Sequence, residues 1–162
     1  MRRLLLLAVS AIAGCGYSTS SLLPSHLHTV AVKPVTNSTT QPGVELALTD
    51  SLIAVFSADR TLRVVDEQNA NLVVETSVTS YSLDPAAYTS DQFVNRYQLS
   101  LNIAIEASDQ VRDEQLYAGS VSVSVTFSPD SLPAAGTAEE AAALGAAGRC
   151  AREAVRRILT AW

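Results

Sequence analysis

Apolar positions along this chain change period twice, from alternation to helical spacing and back. Thr29 to Val35 is a short β-branched run with Val30 and Val32 on one face, and Pro34, which has no N–H for a ladder, predicts its end or an edge position. From Pro42 the spacing becomes helical. Val44, Leu48, Leu52, Val55 and Phe56 fall at i, i+4, i+8, i+11 and i+12, one stripe of an amphipathic helix. Pro42 suits its first turn, and the helix is predicted to end near Ala58-Asp59. Leu62 to Val65 is a short strand-like run before a polar, turn-like stretch. Leu72, Val74, Thr76 and Val78 then alternate with Val73, Glu75, Ser77 and Thr79, as a half-buried strand does. Asp84-Pro85 is read as its end, and the polar stretch through Asp91 as a hairpin-like connection.

The next strand has the clearest alternation. Tyr97, Leu99, Leu101, Ile103 and Ile105 point one way, and Arg96, Gln98, Ser100, Asn102 and Glu106 the other. Tyr117, Val121, Val123, Val125 and Phe127 repeat that pattern against Ser120, Ser122, Ser124 and Thr126. Pro129 and Pro133 mark a loop. Thr137-x-x-Glu140 reads as a capping box, in which hydroxyl and carboxylate each satisfy a free helix-end amide. The helix behind it runs to the terminus, with Leu144, Ala147, Ala151, Val155, Ile158, Leu159 and Trp162 approximating one face. The order is β-α-β-β-β-α. One-faced strands and two amphipathic helices predict an α+β two-layer sandwich, a mixed four-stranded sheet with both helices on one face. The first β-α-β step is predicted to place its strands parallel.

Ahead of this domain lies a different kind of segment. Met1-Arg2-Arg3 is a basic start, and Leu4 to Ala13 is apolar except for Ser10. That run is about half of the ~20 residues a helix needs to cross a bilayer, so it reads as a secretory signal. Ile12-Ala13-Gly14-Cys15 resembles the lipobox of bacterial lipoproteins. The resemblance implies cleavage before Cys15 and acylation of its thiol and new amine, and two or more acyl chains anchor stably. Gly16 follows the Cys where an Asp favours inner-membrane retention, so the outer membrane is the expected location. The expected division is a signal peptide over 1–14, a lipidated tether over 15–28 and one domain over 29–162.

Charge narrows the function. Without Arg2 and Arg3, 9 basic residues face 16 acidic ones, a net charge of −7. Nucleic-acid binding needs a basic face and is not expected. Four of those basic residues, Arg149, Arg152, Arg156 and Arg157, crowd the last fourteen positions. There they complement the helix dipole, as Glu139 and Glu140 do at its start. With Cys15 acylated, Cys150 has no disulfide partner and reads as a small buried side chain. His26-x-His28 has no nearby ligand to complete a metal shell. No nucleophile elbow, zinc-protease helix or phosphate loop occurs. The serines at 120, 122 and 124 read as a wet strand face without a base. No active site and no cofactor are expected.

The order of motifs resembles the LptE family of outer-membrane lipopolysaccharide-assembly lipoproteins. The likeness is carried by Cys15-Gly16-Tyr17-Ser18, by Leu27-His28-Thr29-Val30-Ala31-Val32-Lys33-Pro34 with Asn37, and by Pro42-Gly43-x-Glu45 with Leu48-Thr49-Asp50-x-Leu52. Arg63-Val64-Val65-Asp66, Ser77-Val78-Thr79-Ser80-Tyr81 and Tyr97-Gln98-Leu99 continue it. The resemblance implies a two-layer sandwich that plugs an LptD-like outer-membrane β-barrel, helps it assemble and contacts lipopolysaccharide. One departure stands out. Members bind lipopolysaccharide through basic loop residues, whereas the loops here, Ala86 to Gln92 and Pro129 to Ala135, hold no Lys or Arg. Arg96 is the nearest candidate. Val30 to Pro34 with Asn37, then a helix and Arg63 to Asp66, also resemble CsgG- and LpoB-type lipoproteins, which form a secretion pore or activate a cell-wall synthase. The later strands fit those less well.

Overall fold

The computed structural model describes residues 23–90, 93–130 and 137–161. Its elements are β1 (Thr29–Val32), β2 (Thr36–Asn37), α1 (Val44–Asp59), β3 (Arg63–Val64), β4 (Leu72–Tyr88), β5 (Val94–Asp109), β6 (Glu114–Phe127) and α2 (Ala138–Leu159). The sandwich is the one expected, but its sheet has six strands in place of four. The order is β3-β1-β4-β5-β6, with β2 beside β4. Two short strands account for the difference. Pro34 does end β1, yet the chain re-enters the ladder at once, so β1 and β2 run in tandem, both parallel to β4. The run after α1 shrinks to β3 and pairs parallel with β1. As predicted, the strands flanking α1 are parallel; β4, β5 and β6 form an antiparallel meander.

The largest departure is in β4. It does not stop at Asp84-Pro85 but runs on to Tyr88, with Pro85 opposite Tyr97. Beyond Val78 no strand lies on the other side of β4 among the described residues. A residue without an N–H is tolerated on such an edge. The ladder slips between Val78 and Ser80 and twice between Pro85 and Tyr88.

The sheet's alternation builds the core. Leu72, Val74, Val78, Leu99, Leu101, Ile103 and Ile105 are at most 1% exposed and share one cluster with Leu48, Leu52 and Phe56 of α1 and Ile158 of α2. Fully burying a side chain of this size contributes about 1.5–3 kcal/mol, so this face holds the two layers together. The helix stripe of α1 is as expected, though Val55 is only half-buried. The α1 start differs: Pro42 lies outside it, and Gly43 is the cap, at φ +89°. Only glycine adopts that left-handed conformation without strain.

Thr137 caps α2 as predicted: its N–H donates to Glu140 Oε2 at 2.7 Å, and Glu140 N–H donates to Thr137 Oγ1 at 3.1 Å. The buried face of α2 is made of small residues, Ala142, Ala146, Ala147, Cys150, Ala151 and Ala154, followed by Val155 and Ile158. Leu144, expected on that face, is 59% exposed. The alanines, not the leucine, set the face, and small side chains let the helix lie close to the sheet. Trp162 lies outside the described residues.

Candidate functional site

Three regions remain once the core is accounted for: the end where residues 23–28 lead into β1, the uncovered face of the sheet, and its far tip. Cys15 lies outside the described residues. The chain is first seen at Leu23, which packs against the core, and Leu27 is buried. Between them His26 Nε2 meets the carboxylate of Asp109 at the end of β5. Asp109 is 1% exposed. Its other oxygen accepts the N–H groups of Val111 at 2.7 Å and Arg112 at 3.2 Å. Burial alone pushes the carboxyl up; the His26 hydrogen bond and these amides outweigh it and hold the group below its ordinary range. Asn71 closes the same end, accepting from the N–H groups of His28 and Thr29. His26, read from sequence only as lacking the ligands of a metal shell, thus fastens the segment ahead of β1. The two residues are 83 positions apart, and no local spacing signals the pair.

The uncovered face carries the polar half of each strand. Glu75 and Ser77 of β4, Gln98, Ser100, Asn102 and Glu106 of β5, and Ser120, Ser122, Ser124 and Thr126 of β6 alternate with buried or half-buried neighbours. Between β5 and β6 the outer cross-strand partners on this face are small and polar: Ser100 pairs with Ser124, whose hydroxyls lie 3.0 Å apart, and Asn102 with Ser122; nearer the base, Glu75 of β4 lies opposite Glu106 of β5. Among the described residues no ion pair lies on the β5–β6 part of it. The serine ladder is a wet face, as its alternation indicated.

At the tip, the last residue of β4 and the residue before β5 stand apolar in solvent: Tyr88 is 60% and Phe93 73% exposed. Tyr97 and Phe127 stack with centroids 5.9 Å apart and planes at 26°. They line a shallow groove of about 360 Å³ with Leu83, Pro129 and Glu139. Tyr81 donates to Glu139 Oε1 at 2.9 Å, tying β4 to α2. Burial and that bond push its phenol up. Arg96, paired with Ala87, is exposed and has no ion-pair partner among the described residues.

Other candidate chemistry falls away. The Cys150 thiol is buried against the Leu101 carbonyl at 3.9 Å, and burial pushes it up to about 12, which leaves it protonated and unreactive. Among the described residues no three His, Cys, Asp or Glu side chains gather as a metal site. No described helix is long and apolar enough to cross a membrane. In the C-terminal cluster, Glu153 takes both Arg156, at 2.6 and 3.0 Å, and Arg157, at 2.7 Å. These two guanidinium groups hold its carboxyl down to about 2.

The chain is thus a two-layer sandwich whose sheet has one apolar face, under the helices, and one polar face. The chain belongs to the LptE lipopolysaccharide-assembly family, whose sequence profile matches residues 27–161. No curated protein matches it. Solved structures share its fold at low identity. A hypothetical protein from Chlamydia trachomatis is 13% identical, with a TM-score of 0.59 over 82% of this chain and 96% of its own. A protein from Xanthomonas campestris is 14% identical, with a TM-score of 0.58 over 88% and 90%. PelC from Paraburkholderia phytofirmans, a dodecamer, is 15% identical, with a TM-score of 0.55 over 87% and 95%.

Proposed function

We propose that this chain is a lipid-anchored plug for an LptD-type outer-membrane barrel, and that it helps the barrel assemble as part of lipopolysaccharide export. Family membership gives the process, and the uncovered sheet face carries the finer reading. A barrel lumen is lined by polar side chains. The outer part of that face, Gln98, Ser100 and Asn102 of β5 with Ser122, Ser124 and Thr126 of β6, carries no charge and meets such a wall through short hydrogen bonds. The role is structural, not enzymatic. Cys15 supplies the anchor on the periplasmic side of the outer membrane. A charged head group is held by cations, and Arg96 is the one described at the tip. Lipopolysaccharide contact by this protein therefore falls to Arg96, and the plug role does not need it.

The test is extraction of a tagged chain in mild detergent, with its partners identified by mass spectrometry. An LptD-like barrel is expected in equal amount. A cell-wall synthase or a homo-oligomeric ring would instead support the CsgG/LpoB-like alternative and overturn the plug. Cys15→Ser is expected to lose membrane attachment and mature processing while the domain keeps its fold, checked by fractionation and circular dichroism.

A further inference from the structure

Among the described residues the sheet has four free stretches of strand edge, and they are treated differently. β2 and β3 are two residues long each. The outer half of β4 carries Asp84, Pro85 and three register slips. Shortness, charge, proline and bulges are the ordinary protections against an added strand. β6 is fourteen residues long, and from Leu116 to Phe127 it has no charge and no proline. Its ladder with β5 is unbroken from Tyr117 to Phe127.

Two contacts show which backbone groups of β6 face outward. Arg157 Nη1 donates to the Ser120 carbonyl at 2.8 Å, beyond the ladder. On the other side of β5, the Asn102 carbonyl accepts from Thr79 Oγ1 of β4 at 3.1 Å, so it is turned away from its partner Ser122. N–H and C=O of one residue point to the same side of an antiparallel strand and alternate along it. The rungs of Ser120, Ser122, Ser124 and Thr126 therefore face outward. Ser120 is covered by Arg157; Ser122, Ser124 and Thr126 have no backbone partner among the described residues.

We propose that this edge accepts an extended segment of a second polypeptide as a seventh strand. The chemistry of the edge defines that segment. One side must be apolar to cover half-buried Val123 and Val125, and the other small and polar to continue Ser122 and Ser124. A carboxylate should lie beside it, because Arg149, Glu153 and Arg157 recur at i, i+4 and i+8 along one flank of α2. Glu153 is committed to Arg156 and Arg157, whereas Arg149 has no ion-pair partner among the described residues. A second copy of this chain does not meet that need, since β6 offers no acid between Leu116 and Phe127. Main-chain bonds supply the affinity in such strand addition, and side chains the selectivity. The inference stands whether or not the second polypeptide is the barrel.

The test places a photo-crosslinking residue at Ser122 or Ser124 in the full lipidated chain in its membrane. Adducts are expected on one extended segment of one protein, at sites about two residues apart, with an Asp or Glu close by. Proline at 124 removes only an outward N–H, so Ser124→Pro is expected to cut the Ser122 adduct on the order of tenfold. Protection of the β5 amides should stay unchanged. Ser124→Lys, which leaves the backbone donor in place, is a second block on the same edge, and Arg149→Glu should weaken the adduct where Arg149→Lys does not. Adducts with another copy, adducts scattered over several proteins, or yields unchanged in both position-124 variants would overturn the inference. A barrel that co-purifies without any β6 adduct would sink this inference and leave the plug reading intact.

Discussion

The two ends of the long meander are built on opposite principles. At the base, where the chain leads into β1, every apolar residue on the helix-facing side of β4 and β5 is buried, and Asp109, the one buried acid among the described residues, has three hydrogen-bond donors. At the tip, the end of β4 and the residue leading into β5 leave Tyr88 and Phe93 in solvent. The base is a fold; the tip is a surface. Stability should therefore be concentrated at one end and recognition at the other, and substitutions of like size should separate the two.

The widest separation is expected from phenylalanines. Phe56→Ala removes a side chain 1% exposed beneath the sheet and should cost about 3–5 kcal/mol in urea unfolding of the soluble domain. Phe93→Ala removes one 73% exposed and should change stability by no more than about 0.5 kcal/mol. Equal losses would show that the tip is part of the core. Between these lies Asp109→Ala, which leaves His26 and two backbone N–H groups unpaired and should cost about 1–3 kcal/mol. It also has a pH signature. The folded carboxyl titrates below its ordinary range, so the unfolded chain binds the proton more readily as pH falls. The stability Asp109 contributes is thus present above about pH 4 and lost as pH drops through its depressed folded value. Asp109→Asn should flatten that acid limb, read from melting temperature between pH 5 and 2.

Much of the helix and strand frame was legible in the sequence. The α1 stripe, the alternation of β5 and the Thr137–Glu140 box each concern residues a few positions apart, where period and cap chemistry act directly. What was not legible is long-range. Asp84-Pro85 read as a stop because proline disrupts a central strand, but here β4 has no second neighbour, and that depends on where β2 ends. Thr36 and Asn37 carry no strand pattern, and only the crossover through α1 lays them beside Ser77 and Val78. Leu144 read as core because leucines usually are. On α2 the close packing of alanines against β5 and β6 turns it outward. The site divides the same way: the wet face was visible as alternation, whereas the His26–Asp109 clasp and the unprotected edge of β6 appear only in three dimensions.

The central claim is that the polar sheet face is held against a partner's polar wall, and cysteine labelling reads this directly. Gln98 is exposed on that face. Native Cys150 is fully buried and gives little background, so a Gln98→Cys chain reports one site. The account predicts rapid reaction with a hydrophilic maleimide in the isolated domain and protection on the order of tenfold or more in the mild-detergent complex. Equal labelling in both states would place that face in water and contradict the plug.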